Sequence, residues 1–118
     1  MPIDLSSWLN QVSADKPPDS VIAFNVGMFR TSDGFGVYLG GFDAYDENDS
    51  DWACEPVFVP SSKYFFIRDN NIGWEEAQSE VISSVQNFLA SENGKKSYLA
   101  QAEHLTAGFD DGGLVEIN

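Results

Sequence analysis

The sequence predicts an α+β domain: an antiparallel sheet of about four to six strands, packed against a main helix in the C-terminal half and a short N-terminal helix. Three observations predict it. Period-two apolar alternation dominates residues 20–45, whereas a helical apolar stripe dominates residues 74–89. Apolar residues make up 42 % of the 118 and aromatics 14 %, enough for a buried core without a disulfide or metal staple. No repeat, low-complexity tract or linker interrupts the chain, so residues 1–118 read as one domain.

The first element is an amphipathic helix in which Leu5, Trp8, Leu9 and Val12 follow i, i+3, i+4, i+7 spacing, with Asp4 placed to cap it. Pro17-Pro18 ends it, because proline cannot continue a helix. A hairpin follows. Residues 20–30 put Ile22, Phe24, Val26 and Met28 on one face. Residues 34–45 put Phe35, Val37 and Leu39 on one side, Tyr38 and Phe42 on the other. Thr31-Ser32-Asp33-Gly34 joins them, with Asp-Gly chemistry that favours positive φ. Gly36, Gly40 and Gly41 predict either a bulge or the close approach of another element.

Residues 43–55 form an acidic loop. Two apolar runs come next, Val57-Phe58-Val59 and Tyr64-Phe65-Phe66-Ile67, separated by a Pro60-Ser61-Ser62 turn; together they would present an edge open to self-association. The strongest helix carries Trp74, Ala77, Gln78, Val81, Ile82, Val85, Phe88 and Leu89 on one stripe, with Trp74, Val81, Val85 and Phe88 expected deepest. Glu75 and Glu76 suit its first turn, and Asn93-Gly94 is the expected stop. A shorter helix is expected around 97–102, and residues 104–109 and 114–117 then close a hairpin about Asp110-Asp111-Gly112-Gly113.

Charge narrows the function classes. Nineteen Asp and Glu stand against 6 Lys and Arg, net −13. A nucleic-acid binder needs a basic footprint to displace counterions from phosphates, and an anionic membrane surface makes the same demand. Neither partner is expected. The lone cysteine, Cys54, can form no internal disulfide and no multi-cysteine zinc site, which points to a reducing cytoplasm. The residues after Met1 lack a basic segment followed by a long apolar core, so no secretory leader is expected.

Catalytic and ligand-binding motifs are weak. A calcium loop opened at Asp46 would need glycine at its sixth position and glutamate at its twelfth, where Asp51 and Val57 stand. Any Ser-His-Asp or Cys-His mechanism must run through His104, the only histidine. Gly34-Phe35-Gly36-Val37-Tyr38-Leu39-Gly40 has no following lysine and no phosphate-loop spacing. No cofactor and no metal are expected, and the Asp110-Asp111 pair reads first as turn chemistry. The alternative kept open is a small enzyme or metal-binding domain using residues 43–55 and His104. A second is an acidic adaptor whose charge serves only solubility.

A recognition surface is the stronger reading. Between Arg30 and Lys63 lie 32 residues with no base and seven acids: Asp33, Asp43, Asp46, Glu47, Asp49, Asp51 and Glu55. Glu103, Asp110, Asp111 and Glu116 repeat the pattern after Lys96. Self-repulsion on such a surface costs stability, and a basic protein partner explains its retention. The expected contact residues are Asp43, Tyr45, Asp46, Glu47, Asp49, Asp51 and Trp52, with Asp110 and Asp111 as a second patch. Trp52 has two readings, an interface anchor or a lid packed on the sheet.

Tyr38-Leu39-Gly40-Gly41-Phe42-Asp43, Asp51-Trp52-Ala53-Cys54 and Gly108-Phe109-Asp110-Asp111-Gly112, with the size, α+β pattern and acid-rich loops, make the chain similar to the small acidic immunity proteins of bacterial polymorphic toxin and contact-dependent inhibition systems. That resemblance implies a non-catalytic protein that covers a toxin's active site or substrate-binding surface. Many such toxins are nucleases with basic clefts. It carries over no individual residue.

Overall fold

A computed structural model describes residues 5–46, 48, 50–53, 55–69, 71–110 and 113–117. The chain runs α1 (Ser6–Ser13), β1 (Ala23–Thr31), β2 (Gly34–Phe42), a 3-10 turn (Ser50–Ala53), β3 (Tyr64–Ile67), α2 (Trp74–Ala90), α3 (Glu92–Lys96), α4 (Tyr98–Gln101), β4 (His104–Phe109) and β5 (Val115–Glu116). The fold is α+β, with strand order β3-β2-β1-β4-β5.

The sheet is mixed where an antiparallel one was expected. Pairs β1–β2, β2–β3 and β4–β5 are antiparallel, but β1–β4 is parallel, from Ala23↔His104 to Met28↔Phe109. Connectivity explains this. Strand β3 is antiparallel to β2 and so runs with β1. The helical segment after β3 then carries the chain back across the sheet, and β4 enters in the same direction as β3. A helical crossover is the usual means of making a parallel pair.

The hairpin register is continuous from Ala23↔Phe42 to Thr31↔Gly34, so the strand glycines mark close approaches and no bulge. The turn centres on Ser32-Asp33, neither with positive φ; Gly34 itself has φ +155°. A Cβ there would lie 1.8 Å from the Ile67 carbonyl oxygen, so glycine is required on both counts.

Val57-Phe58-Val59 is not a strand. Phe58 makes a single bridge to Gly41, because the flanking Pro56 and Pro60 lack the amides a ladder needs. Asn93-Gly94 does not stop the helical region either. Helix α2 ends at Ala90, and Ser91 and Ser97 start two further short helices, accepting from the amides of Gly94 and Ala100. Gly94 is buried against the end of α2, where a Cβ would meet the Phe88 carbonyl.

One sheet face, with Phe24, Val26, Met28, Phe35, Val37, Leu39, Leu105 and Ala107, packs against α1, α2 and α4. Val81, Val85 and Phe88 are buried as expected, joined by Ala77 and Ser84. Trp74 is not: it is 46 % exposed, its ring set edge-to-face with Phe109 at the start of α2. Asp4 lies outside the described residues. The Leu5 amide donates instead to the buried Ser84 hydroxyl at 2.8 Å, tying α1 to α2. Among the described residues, no helix is long and apolar enough to cross a membrane.

Candidate recognition face

Helices α1, α2 and α4 pack against one side of the sheet, and the other side carries its own outward side chains. Register places them in rows. Tyr64, Tyr38, Gly27 and Gly108 lie across β3, β2, β1 and β4, and Phe66, Gly36 and Phe29 form the neighbouring row. Aromatics and glycines therefore face one another across β1 and β2. The Tyr38 ring lies over Gly27, where a Cβ would sit 2.1 Å from it, and the Phe29 ring lies over Gly36 at 2.2 Å. Removing both side chains lets the rings lie down on the backbone, a known device for covering strand glycines.

Phe29 and Tyr38 are 6.2 Å apart and tilted by 36°. Tyr64 stands nearly upright against them, 5.8 Å from Phe29 at 82°. Tyr64 and Phe66, 53 % and 48 % exposed, crown this end of the face on the short edge strand β3. Phe29, Tyr38 and Tyr64, with Pro56, Val59, Lys63 and Asp110, line an open groove of about 400 Å³. Asp110 is held there twice. Its amide donates to the Met28 carbonyl at 3.0 Å, and its exposed carboxylate accepts a hydrogen bond from the Tyr38 hydroxyl.

The acidic loop leaves β2 at the other end and folds back over the same face. Trp52 meets the edge of Phe42 at 5.2 Å, and Tyr45 meets Trp52 at 5.0 Å. Tyr45 stacks flat on His104, centroids 3.6 Å apart and planes within 4°. Its hydroxyl donates to Glu116 Oε2 at 2.9 Å, and His104 Nδ1–H donates to Glu116 Oε1 at 3.2 Å. These bonds, that of His104 foremost, hold the Glu116 carboxyl below the usual range. Glu116 thus stays ionised at neutral pH and locks Tyr45, His104 and β5 together. Trp52 itself is half-buried, its ring packed on Phe42 of the sheet.

Asp43 and Asp46 are exposed on this loop. Glu47, Asp49 and Asp111 lie outside the described residues, as does the side chain of Asp51 on the 3-10 turn. Asp110 is six residues along β4 from His104, about 20 Å at strand rise. Among the described residues, Asp43, next after Phe42 of β2, and Asp110 therefore lie toward opposite ends of the aromatic face. His104 joins Glu116 and Tyr45. Among the described residues no three His, Cys, Asp or Glu gather around one point.

The sequence reading missed Phe29, Tyr64, Phe66 and the His104–Glu116 contact. A signal for the rings was present: outward-facing positions of the hairpin alternate glycine with aromatic, Gly27-Phe29 on one strand and Gly36-Tyr38 on the other. The His104–Glu116 contact had none, since it depends on the register of β4 with β5. No family model, no curated protein and no solved structure matches this chain.

Proposed function

We propose that this is a non-catalytic cytoplasmic binding protein that neutralises a basic toxin domain, of the nuclease kind, through its helix-free sheet face. One observation carries the reading: that face exposes aromatic rings between two acidic ends, on a chain of net charge −13. Exposed Tyr and Phe supply contact area for anchoring a partner, while the flanking charge steers a basic surface and rejects acidic ones. The resemblance to acidic immunity proteins agrees with this assignment.

The test is inhibition of a basic nuclease toxin domain encoded beside this gene. Addition of the purified protein is expected to abolish nuclease activity at one-to-one stoichiometry, with an association rate that falls steeply as salt rises. A toxin domain that keeps full activity in molar excess of this protein overturns the reading.

A further inference from the structure

We propose that the groove between Tyr38, Tyr64 and Asp110 seats an arginine side chain of the basic partner; this deepens, and rests on, the partner-binding reading above. The groove offers what a guanidinium recognises. Phe29 and Tyr38, 6.2 Å apart and inclined by 36°, form an aromatic floor, each ring lying over a glycine of the neighbouring strand. Tyr64 forms a wall at 82° to Phe29. A planar cation stacked on such rings gains from their quadrupoles, and its methylene stem covers the apolar remainder. Asp110 supplies the matching anion at the groove's border, positioned before any partner arrives by the Met28 carbonyl and the Tyr38 hydroxyl.

Charge complementarity selects arginine over an apolar occupant. The groove belongs to a chain with 19 acids and 6 bases, and the Asp110 carboxylate lies beside its aromatic walls. Geometry selects arginine over lysine, because a planar fork both stacks on the rings and pairs two N–H groups with one carboxylate. Lys63, exposed and lining the groove, carries the same charge as the occupant. It therefore weakens binding, and its removal tests the sign of the interaction.

The experiment is an NMR titration of the ¹⁵N-labelled protein with N-acetyl-arginine amide, with N-acetyl-lysine amide and the uncharged N-acetyl-norleucine amide as controls. The expected result is saturable shifts of the Tyr38, Gly40, Tyr64 and Asp110 amides at about millimolar arginine amide, the strength a ligand of this size can reach. Asp110→Asn and Tyr64→Leu should each weaken it about three- to tenfold, and Lys63→Ala should strengthen it about twofold. Both weakening substitutions lie at exposed positions, and unchanged amide shifts in α1 and α2 verify the fold. The proposal is overturned if norleucine or lysine amide acts as strongly as arginine amide. It is equally overturned if the shifts ignore the groove variants, or if they arise on concentrating the protein alone, which would place a second copy there. In the toxin complex, undiminished affinity of both groove variants also overturns the arginine seat but leaves the partner reading intact. Absence of any complex with the unsubstituted protein overturns that reading, and the arginine titration then judges the groove by itself.

Discussion

Glycine carries the most information per residue in this chain. At Gly34 two constraints coincide, φ +155° and a carbonyl oxygen 1.8 Å from the absent Cβ. The oxygen belongs to Ile67 of β3, so no side-chain rotation relieves the clash. Gly34→Ala should therefore cost about 2–3 kcal/mol in urea unfolding, detaching the end of β3 from the hairpin. A loss below about 0.5 kcal/mol would refute the close packing of Gly34 on β3. Gly27 differs, since the obstacle is the far end of the Tyr38 ring, which can swing away. This contrast shows how much of the site was legible. The strand glycines announced close approach, yet which ring covered which glycine depended on a cross-strand register that one strand's sequence does not state. Asp110 read as plain turn chemistry for the same reason: its partner Tyr38 is 72 residues away.

Elements that announced themselves did so through local pattern. The hairpin, the α2 stripe, the short helix after Ser97 and the closing hairpin each follow from spacing within about twenty residues. What failed was non-local. Parallel pairing of β1 with β4 joins segments some 80 residues apart, and nothing in either strand distinguishes a parallel neighbour from an antiparallel one. Trp74 fits the stripe by period but lies at the first turn of α2, where nearly half of it is open to solvent. The docking of α1 was likewise invisible, though its polar fastening is specific. Tyr98 of α4 donates to the Val12 carbonyl at the end of α1, at 2.6 Å. Burial, and then the charge of Asp15, pushes its hydroxyl above the ordinary phenol pKa of 10.0. The folded state thus favours the protonated form, so this contribution is complete below about pH 10 and declines as pH rises toward the folded value. Tyr98→Phe should cost about 1 kcal/mol at pH 7 and flatten the alkaline limb of the stability curve. A limb as steep as in the unsubstituted protein would remove Tyr98 from that role.

For the molecule as a whole, the charge is uncompensated rather than merely acidic. Nineteen acids and six bases yield, among the described residues, one ion pair, His104–Glu116, which is ionic only when the histidine is protonated. The remaining carboxylates repel one another across the surface, so the free protein carries a destabilising self-energy that a basic partner would cancel. Two consequences separate a docking surface from a solubility coat. Raising NaCl from about 0.02 to about 0.5 M should increase the Tm of the free protein, because screening relieves the repulsion. Replacing Asp43 and Asp46 by Asn should raise stability by up to about 0.5 kcal/mol each while, if the proposed toxin domain is the partner, slowing association with it several-fold and flattening its salt dependence. A solubility coat predicts the first effect and not the second. A docking surface requires both, since the same charges that loosen the free fold steer the encounter. Measured association rates that ignore Asp43 and Asp46 while Tm rises would reduce the acidic loop to a coat and leave recognition to the aromatic face alone.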